Sequence, residues 1–302
     1  MPVSNSSNND QILRLGLPKG RMQEAVRRLL ADAGVGVALG SREYRPAVTF
    51  GGAEIEAKLL KPQNIVEMID LGSRDVGFAG ADWVAELGAD VIEVLDTGLD
   101  PVRLVAAAPR GLLASESGRS LAALPRRSLV IASEYERMTR RWIESSGIEG
   151  RLVRSYGATE VFPPEDADLI VDITASGATL AANGLDIVDE LMRSTTRLYA
   201  SRAAMESTDC RASIERLVLL LQSVLEARRR VMLEVNVTSE RLDSVIAALP
   251  CMREPTIAAL HGGTGYAVKA AVPRDQLTRL IPELKNRGGT DIVVTATAQI
   301  VP

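Results

Sequence analysis

From residue 12 to about residue 228 the chain repeats one local pattern: a short apolar run, a break at glycine or proline, then apolar residues at helical spacing. Residues 12–17 (ILRLGL) stop at Pro18 and Gly20, and from Met22 onward Val26, Leu29, Leu30 and Ala33 share one helical face. Residues 55–60 lead to a predicted helix at 63–71 closed by Gly72, and residues 75–79 form a strand ending at Gly80. The pattern restarts near Val102, with predicted strands at 103–109, 128–132, 151–155, 169–173 and 196–200. Predicted helices follow at 135–145 and 212–228. Strands alternating with helices of this length specify an α/β sheet covered by helices.

After residue 229 the rhythm changes. Residues 231–237 (VMLEVNV) alternate as a half-buried strand, and Ser239 opens a helix to about residue 249. Strands at 256–260 and 266–272 flank the turn HGGTG, a helix runs from 275 to 286, and 292–300 is a last strand. The order βαββαβ is that of a ferredoxin-like sandwich.

Composition removes several chemistries. The 302 residues carry 35 basic and 39 acidic side chains, a net charge of −4, so no basic excess meets nucleic-acid phosphates. Aromatic residues are 3%, too few for base stacking. The most apolar stretch, 217–225, is too short to span a bilayer, and the opening MPVSNSSNND is polar. The expectation is therefore a cytoplasmic protein with a disordered tail over residues 1–11. Cys210 and Cys251 have neither metal-type spacing nor the number for a disulfide framework. The only histidine, His261, lies beside Gly262 and Gly263 and reads as a solvated turn residue. Any catalysis must then work by positioned charge and hydrogen bonding.

Two strand-to-helix junctions have the chemistry to hold an anion. In DLIVDITASGATLAANGL (168–185), Asp168 begins a buried-looking strand, Asp172 lies near its end, and Thr174, Ala175, Ser176, Gly177, Ala178 and Thr179 form a loop before a helix. Unpaired N–H groups at a helix start favour an anion, Gly177 permits close backbone approach, and three hydroxyls add donors. A carboxylate at the carboxyl end of a strand can accept from sugar hydroxyls. The same residues would equally suit an ordinary helix capped by Thr and Ser. The second junction is LPKGR (17–21), where Lys19 and Arg21 flank Gly20 at a helix N-terminus. Cations are unfavourable there unless solvated or bridged by an anion. A weaker element is Gly80 and Asp82 in GADW, for which ligand contact and helix capping are both open.

Taken together these segments resemble the long form of the ATP phosphoribosyltransferase family, from about residue 13 to the C-terminus. The carriers are LPKGR, LKPQNIVEMIDLGSRDVGFAGADWVAE, GATE (157–160) followed by ADLIVDITASGATLAANGL, and EPTIAAL with the closing βαβ. Ser176 stands where threonine is expected, which keeps the hydroxyl. Tyr266 stands where tryptophan is usual, a departure that bears on effector binding.

The resemblance implies two periplasmic-binding-protein-like (type II) lobes plus a C-terminal ferredoxin-like regulatory domain. Lobe I with its connecting helix would comprise 12–101 and 186–228, lobe II 102–185, and the regulatory domain 229–302. It implies transfer of the 5-phosphoribosyl group from phosphoribosyl diphosphate to N1 of ATP, releasing pyrophosphate, in the first step of histidine biosynthesis. Thr174, Ala175, Ser176, Gly177, Ala178 and Thr179 would hold the donor's phosphate, and Asp172 and Asp168 its ribose. Lys19, Gly20, Arg21, Gly80 and Asp82 would contact ATP. Lys19, Arg21, Asp172 and Glu160 would act in catalysis. Mg²⁺ would be carried mainly by substrate phosphates, histidine would be an allosteric inhibitor, and the chain would form dimers or a hexamer, with no nucleic-acid or membrane partner. The residues alone leave room for a two-lobed binding or sensor protein, or a phosphoribosyltransferase with another acceptor.

Overall fold

The computed structural model describes residues 12–38, 40, 44–51, 53–113 and 120–301. The expected tail at 1–11 lies outside them. The chain runs β1 (Arg14–Pro18), α1 (Gln23–Asp32), β2 (Gly36–Ala38), β3 (Ala47–Phe50), β4 (Ala53–Leu60), α2 (Pro62–Asp70), β5 (Val76–Gly80) and α3 (Ala81–Leu87). It continues with β6 (Ile92–Pro109), β7 (Leu129–Ser133), α4 (Glu136–Ser146), β8 (Gly150–Arg154), β9 (Leu169–Thr174), α5 (Ala178–Ala182) and β10 (Leu185–Ala200). Then follow α6 (Arg202–Glu206), α7 (Thr208–Arg229), β11 (Arg230–Val237), α8 (Leu242–Ile246), β12 (Thr256–Ala259), β13 (Tyr266–Pro273), α9 (Leu277–Asn286) and β14 (Thr290–Thr295). No helix among the described residues is long and apolar enough to cross a membrane.

Ten strands form one sheet in the order β2-β3-β4-β1-β5-β10-β6-β9-β7-β8. Within it β1 pairs parallel with β4 and β5, and β7 pairs parallel with β8 and β9. These two parallel groups are the lobes. Strands β1, β5, β7 and β9 are largely buried on both faces, which is why they read as continuous apolar runs, whereas the edge strand β8 is mostly exposed. Phe78 and Ile65 fill the first lobe's core; Leu104, Ile131, Leu169 and Trp142 fill one face of the second.

The lobes share β6 and β10, an antiparallel ribbon of 18- and 16-residue strands. Here the structure exceeds the expectation of separate strands at 103–109 and 196–200. Polar stretches such as 189–195 carry no strand pattern of their own, and β6 supplies their hydrogen-bonding partner. The expected boundary at 101/102 falls inside β6, and the one at 185/186 falls at the start of β10. The chain divides into two compact units: the first reaches Arg28 and resumes over Gly36–Glu215, and the second combines Leu29–Val35 with the residues from Arg216 onward. In the second unit, β11–β14 form an antiparallel sheet ordered β12-β13-β11-β14. With α8 and α9 this is the ferredoxin-like order expected, around Leu233, Val235, Val268 and Leu284.

Candidate active site

The register of the ribbon decides where the loops meet. Gly80, the last residue of β5, lies opposite Thr196 of β10, which in turn pairs with Leu99 of β6. Thr174, the last residue of β9, lies opposite Arg103 of β6. The carboxyl ends of both parallel groups therefore converge on one stretch of β6, four residues apart, or roughly 13 Å at the rise of a strand. Ligands of open α/β sheets bind at such ends.

The loop before α1 reaches the same stretch. Lys19 is fixed to the first lobe by its N–H, which donates to the Leu60 carbonyl at 2.8 Å, and Gly20 turns the chain at φ 82°. The Lys19 ammonium lies 5.2 Å from the centre of the Tyr44 ring. The exposed Arg21 donates from its guanidinium to the Asp100 carbonyl at 3.1 Å. Asp100 itself has φ 47°, a left-handed residue in the middle of β6. So Lys19, Gly20 and Arg21 sit at the pivot of the ribbon.

On the opposite side, the 174–179 loop is closed by its own hydroxyls. The Gly177 N–H donates to Thr174 Oγ1 at 2.9 Å, and the Ala178 N–H to Ser176 Oγ at 3.3 Å. Gly177, at φ 83°, is the N-cap of α5, and no side chain caps that helix. The expected Thr/Ser cap is thus replaced by turn-closing bonds within the loop. Helix α5 has only five residues, so its dipole is small; what the loop presents is local backbone. The N–H groups of Ser176, Thr179 and Leu180 have no acceptor among the described residues, while Ala175, Ser176, Ala178 and Thr179 are exposed.

Asp172 stands half-buried at the end of β9, accepting from the Ile173 N–H at 2.7 Å. Burial pushes its carboxyl up to about 6, opposed by the Ile173 N–H and the Thr159 hydroxyl and reinforced by the charges of Glu134 and Glu160. Glu160 follows the left-handed Ala158 (φ 49°) in a short turn whose Thr159 is hydrogen-bonded to Ser155 at 2.9 Å. The structure thus groups Asp172, Glu160 and Glu134 at one strand end, next to the anion loop. Glu134 carried no sequence signal, and Thr159 entered only as part of GATE, because only the tertiary structure brings them beside Asp172.

Three expected site residues are placed otherwise. Asp168 is at the far end of β9, six residues and roughly 20 Å from the loop. There it is paired with Arg127 at 2.5 Å and accepts the Val130 N–H at 2.7 Å, and Arg127 holds its carboxyl below the usual range. Asp82 is 2% exposed; its oxygens accept from Tyr135 OH at 2.7 Å and Ser194 Oγ at 2.5 Å. It caps no helix, since Gly80 is the N-cap of α3, and both its oxygens are engaged within the protein. Gly80 is buried, and a Cβ there would stand 2.1 Å from Asp82 Oδ1. Its smallness serves that carboxylate, not a nucleotide.

Comparison with known proteins agrees with this architecture. The family model described as "ATP phosphoribosyltransferase" matches residues 61–223, and that described as "HisG, C-terminal domain" matches 227–298. The chain belongs to the ATP phosphoribosyltransferase family. It is 38% identical to the ATP phosphoribosyltransferase of Pelotomaculum thermopropionicum, over 96% of this chain and 99% of that protein. It is 36% identical to the one of Chlorobium phaeovibrioides, over 95% and 96%. A solved structure, the ATP phosphoribosyl transferase (HisG:HisZ) complex from Thermotoga maritima, superposes with a TM-score of 0.58 at 27% identity, covering 70% of this chain and 99% of that one. The second family match accounts for the β11–β14 domain and makes this a long-form family member. For an ATP phosphoribosyltransferase the convergence of a hydroxyl-lined loop and a cationic loop on one pivot has an immediate chemical meaning.

Proposed function

We propose that the ribbon stretch around Leu99 and Arg103 is the floor of the active cleft, with the donor held by the second lobe and ATP by the first. The reaction joins N1 of the ATP adenine to the anomeric carbon of phosphoribosyl diphosphate. As that bond forms, the bond from the anomeric carbon to the diphosphate oxygen breaks and pyrophosphate leaves. The nucleophile is the substrate's own nitrogen, which suits a site with no histidine or cysteine in it. The work left to the protein is alignment and charge stabilisation.

In this reading the free N–H groups of Ser176, Thr179 and Leu180, with the Ser176 and Thr179 hydroxyls, hold the 5-phosphate. Thr174 and Gly177 keep the loop in shape, and Ala175 and Ala178 leave it open. Asp172 accepts from the ribose hydroxyls, and Glu160 supports it. Lys19 and Arg21, across the pivot, bind the departing pyrophosphate or the ATP phosphates, with Gly20 allowing the turn. Mg²⁺ neutralises the diphosphate when bound. Hard oxygen donors suit that ion, so substrate phosphates and water would supply most of its shell, and Asp172 and Glu160 are the carboxylates at hand. Asp168, Gly80 and Asp82 have no part in the cradle. The proposal extends to inhibition by histidine through the β11–β14 domain, to assembly as dimers or a hexamer, and to the cytoplasm as the compartment.

The observation that carries this reading is the register that brings residues 19–21 and 174–179 to the same stretch of β6. The test is pyrophosphate release from Mg²⁺, ATP and phosphoribosyl diphosphate, with Thr179→Val as the site probe. One lost hydrogen bond to an ionised phosphate should raise the KM for the donor about 10- to 100-fold. An unchanged donor KM would remove the loop from the site.

A further inference from the structure

Asp82 and Glu86 lie one turn apart on α3, and both are buried, at 2% and 9% exposure, although neither points into its own lobe's core. Every donor they meet lies outside α3 and its lobe's parallel strands, apart from Asp82's bond with the shared ribbon through Ser194. Glu86 accepts the backbone N–H of Arg137 at 2.8 Å and of Met138 at 2.9 Å. These are first-turn amides of α4, which no side chain of its own N-cap, Tyr135, satisfies. Arg137 returns the contact by donating from its guanidinium to the Leu87 carbonyl, the last of α3, at 3.3 Å. A carboxylate thus sits at the positive end of one helix and a cation at the negative end of the other. Beside this pair, Tyr135 donates to Asp82, and its ring stacks on Trp83 with centroids 4.7 Å apart. These four hydrogen bonds and the ring stack join lobe I to lobe II.

The lobes are otherwise joined by the ribbon, and the ribbon is irregular where they meet. The β6–β10 register slips between Ser194 and Thr196 and again between Thr196 and Arg197, next to the left-handed Asp100. Such a junction can bend. Opening would hand the α3 carboxylates to water, which can replace the donors they lose, at the cost of exposing the Tyr135 ring and Trp83, which pack with the second lobe's core.

We infer that α3 and α4 form a latch that holds the two lobes at the separation the substrates require, with Glu86, Asp82 and Tyr135 as positioning residues. The inference rests on the reading that donor and ATP are held on opposite lobes. It also explains the Gly80–Asp82 motif: glycine is needed at 80 so that Asp82 can fold back towards Ser194. If only the latched form binds well, weakening the latch divides the apparent dissociation constant by the remaining latched fraction, so affinity falls in proportion to it. Turnover at saturation, where substrates themselves hold the lobes, is preserved.

The test uses the full chain with Glu86→Gln and, separately, Tyr135→Phe, which loses one hydrogen bond and keeps the stacked ring. The KM for phosphoribosyl diphosphate should rise about 5- to 20-fold with kcat within about 2-fold of wild type. Independently of any substrate, spin labels at the exposed positions Glu67 on α2 and Arg151 on β8 report lobe separation in the free protein. They are placed in a Cys251→Ser background, with labelled chains diluted into unlabelled ones. Both variants should lengthen or broaden that distance. An unchanged distance overturns the latch, as does a lower melting temperature with donor KM unmoved, which would make these residues mere structural caps. A fall in kcat at constant KM also overturns it. Failure of the underlying site reading has its own signature, an unaltered donor KM in Thr179→Val, whatever the labels report.

Discussion

Asp172 holds a carboxylate where burial opposes charge, and its titration follows from that conflict. Its carboxyl is raised from 3.8 to about 6 in the folded chain. Between about pH 4 and 6 the folded state therefore keeps a proton that the unfolded state has lost. Stability falls as pH rises through that window and levels off above it. Two pKa units correspond to about 3 kcal/mol at most. Asp172→Asn should therefore stabilise the fold by about 2–3 kcal/mol at pH 8 and by almost nothing near pH 4, measured by denaturant titration at both values. The same variant should lose about 100-fold in kcat/KM if the carboxylate addresses the ribose, a site held at the expense of stability. Lys19 is the complementary case. Among the described residues its ammonium has no carboxylate partner, and it rests on the Tyr44 ring. Lys19→Ala should leave the melting temperature within a degree or two and lower kcat about 100-fold or more, by loss of charge stabilisation of the leaving group.

At the scale of elements, the anion loop depends more on its turn than on its helix. Helix α5 is a single turn, and the conformation is set by Gly177 in the left-handed region together with the Thr174 hydroxyl. A Cβ at Gly177 would meet only Ile187 at an ordinary 3.5 Å, so the penalty of Gly177→Ala is one of backbone conformation. That costs about 1–2 kcal/mol. The variant should unfold at correspondingly lower denaturant and bind the donor more weakly, while ATP affinity, measured separately by equilibrium binding, stays unchanged. Composition marked the loop as a candidate, since glycine among small hydroxyl residues after a buried strand suits an anion, although it suits a capped helix equally. Its partner across the cleft was legible for the same reason. Glu86 and Tyr135 were not, because each is an ordinary residue in its own helix and becomes unusual only against the other.

At the scale of the molecule, the second unit contains an independent ferredoxin-like core, and its last residues return to the long helix, where the Ile300 N–H donates to the Ser223 carbonyl. If this domain senses histidine, as proposed, a chain ending at Arg230 should retain pyrophosphate release and lose inhibition by added histidine. Inhibition surviving intact would move the effector site into the lobes. Regulation and chemistry would then be separable by truncation, with α7 spanning the two units as the connection.

Alternation of apolar runs with helical segments was sufficient by itself to specify an α/β protein with a βαββαβ tail, because burial on two faces and burial on one face leave different periodicities. The two loops proposed to hold anions were visible as candidates, since glycine, hydroxyls and cations at strand ends are local chemistry, and their ordinary structural uses stayed open. Whether those loops faced one another was undetermined until β6 and β10 paired over their full length. Register is a relation between strands distant in sequence, and no single strand carries it. The same holds for Asp168 and Asp82: each has the right type for a ligand, but the partners that occupy them, Arg127 on one side and Tyr135 and Ser194 on the other, are supplied by tertiary contact alone.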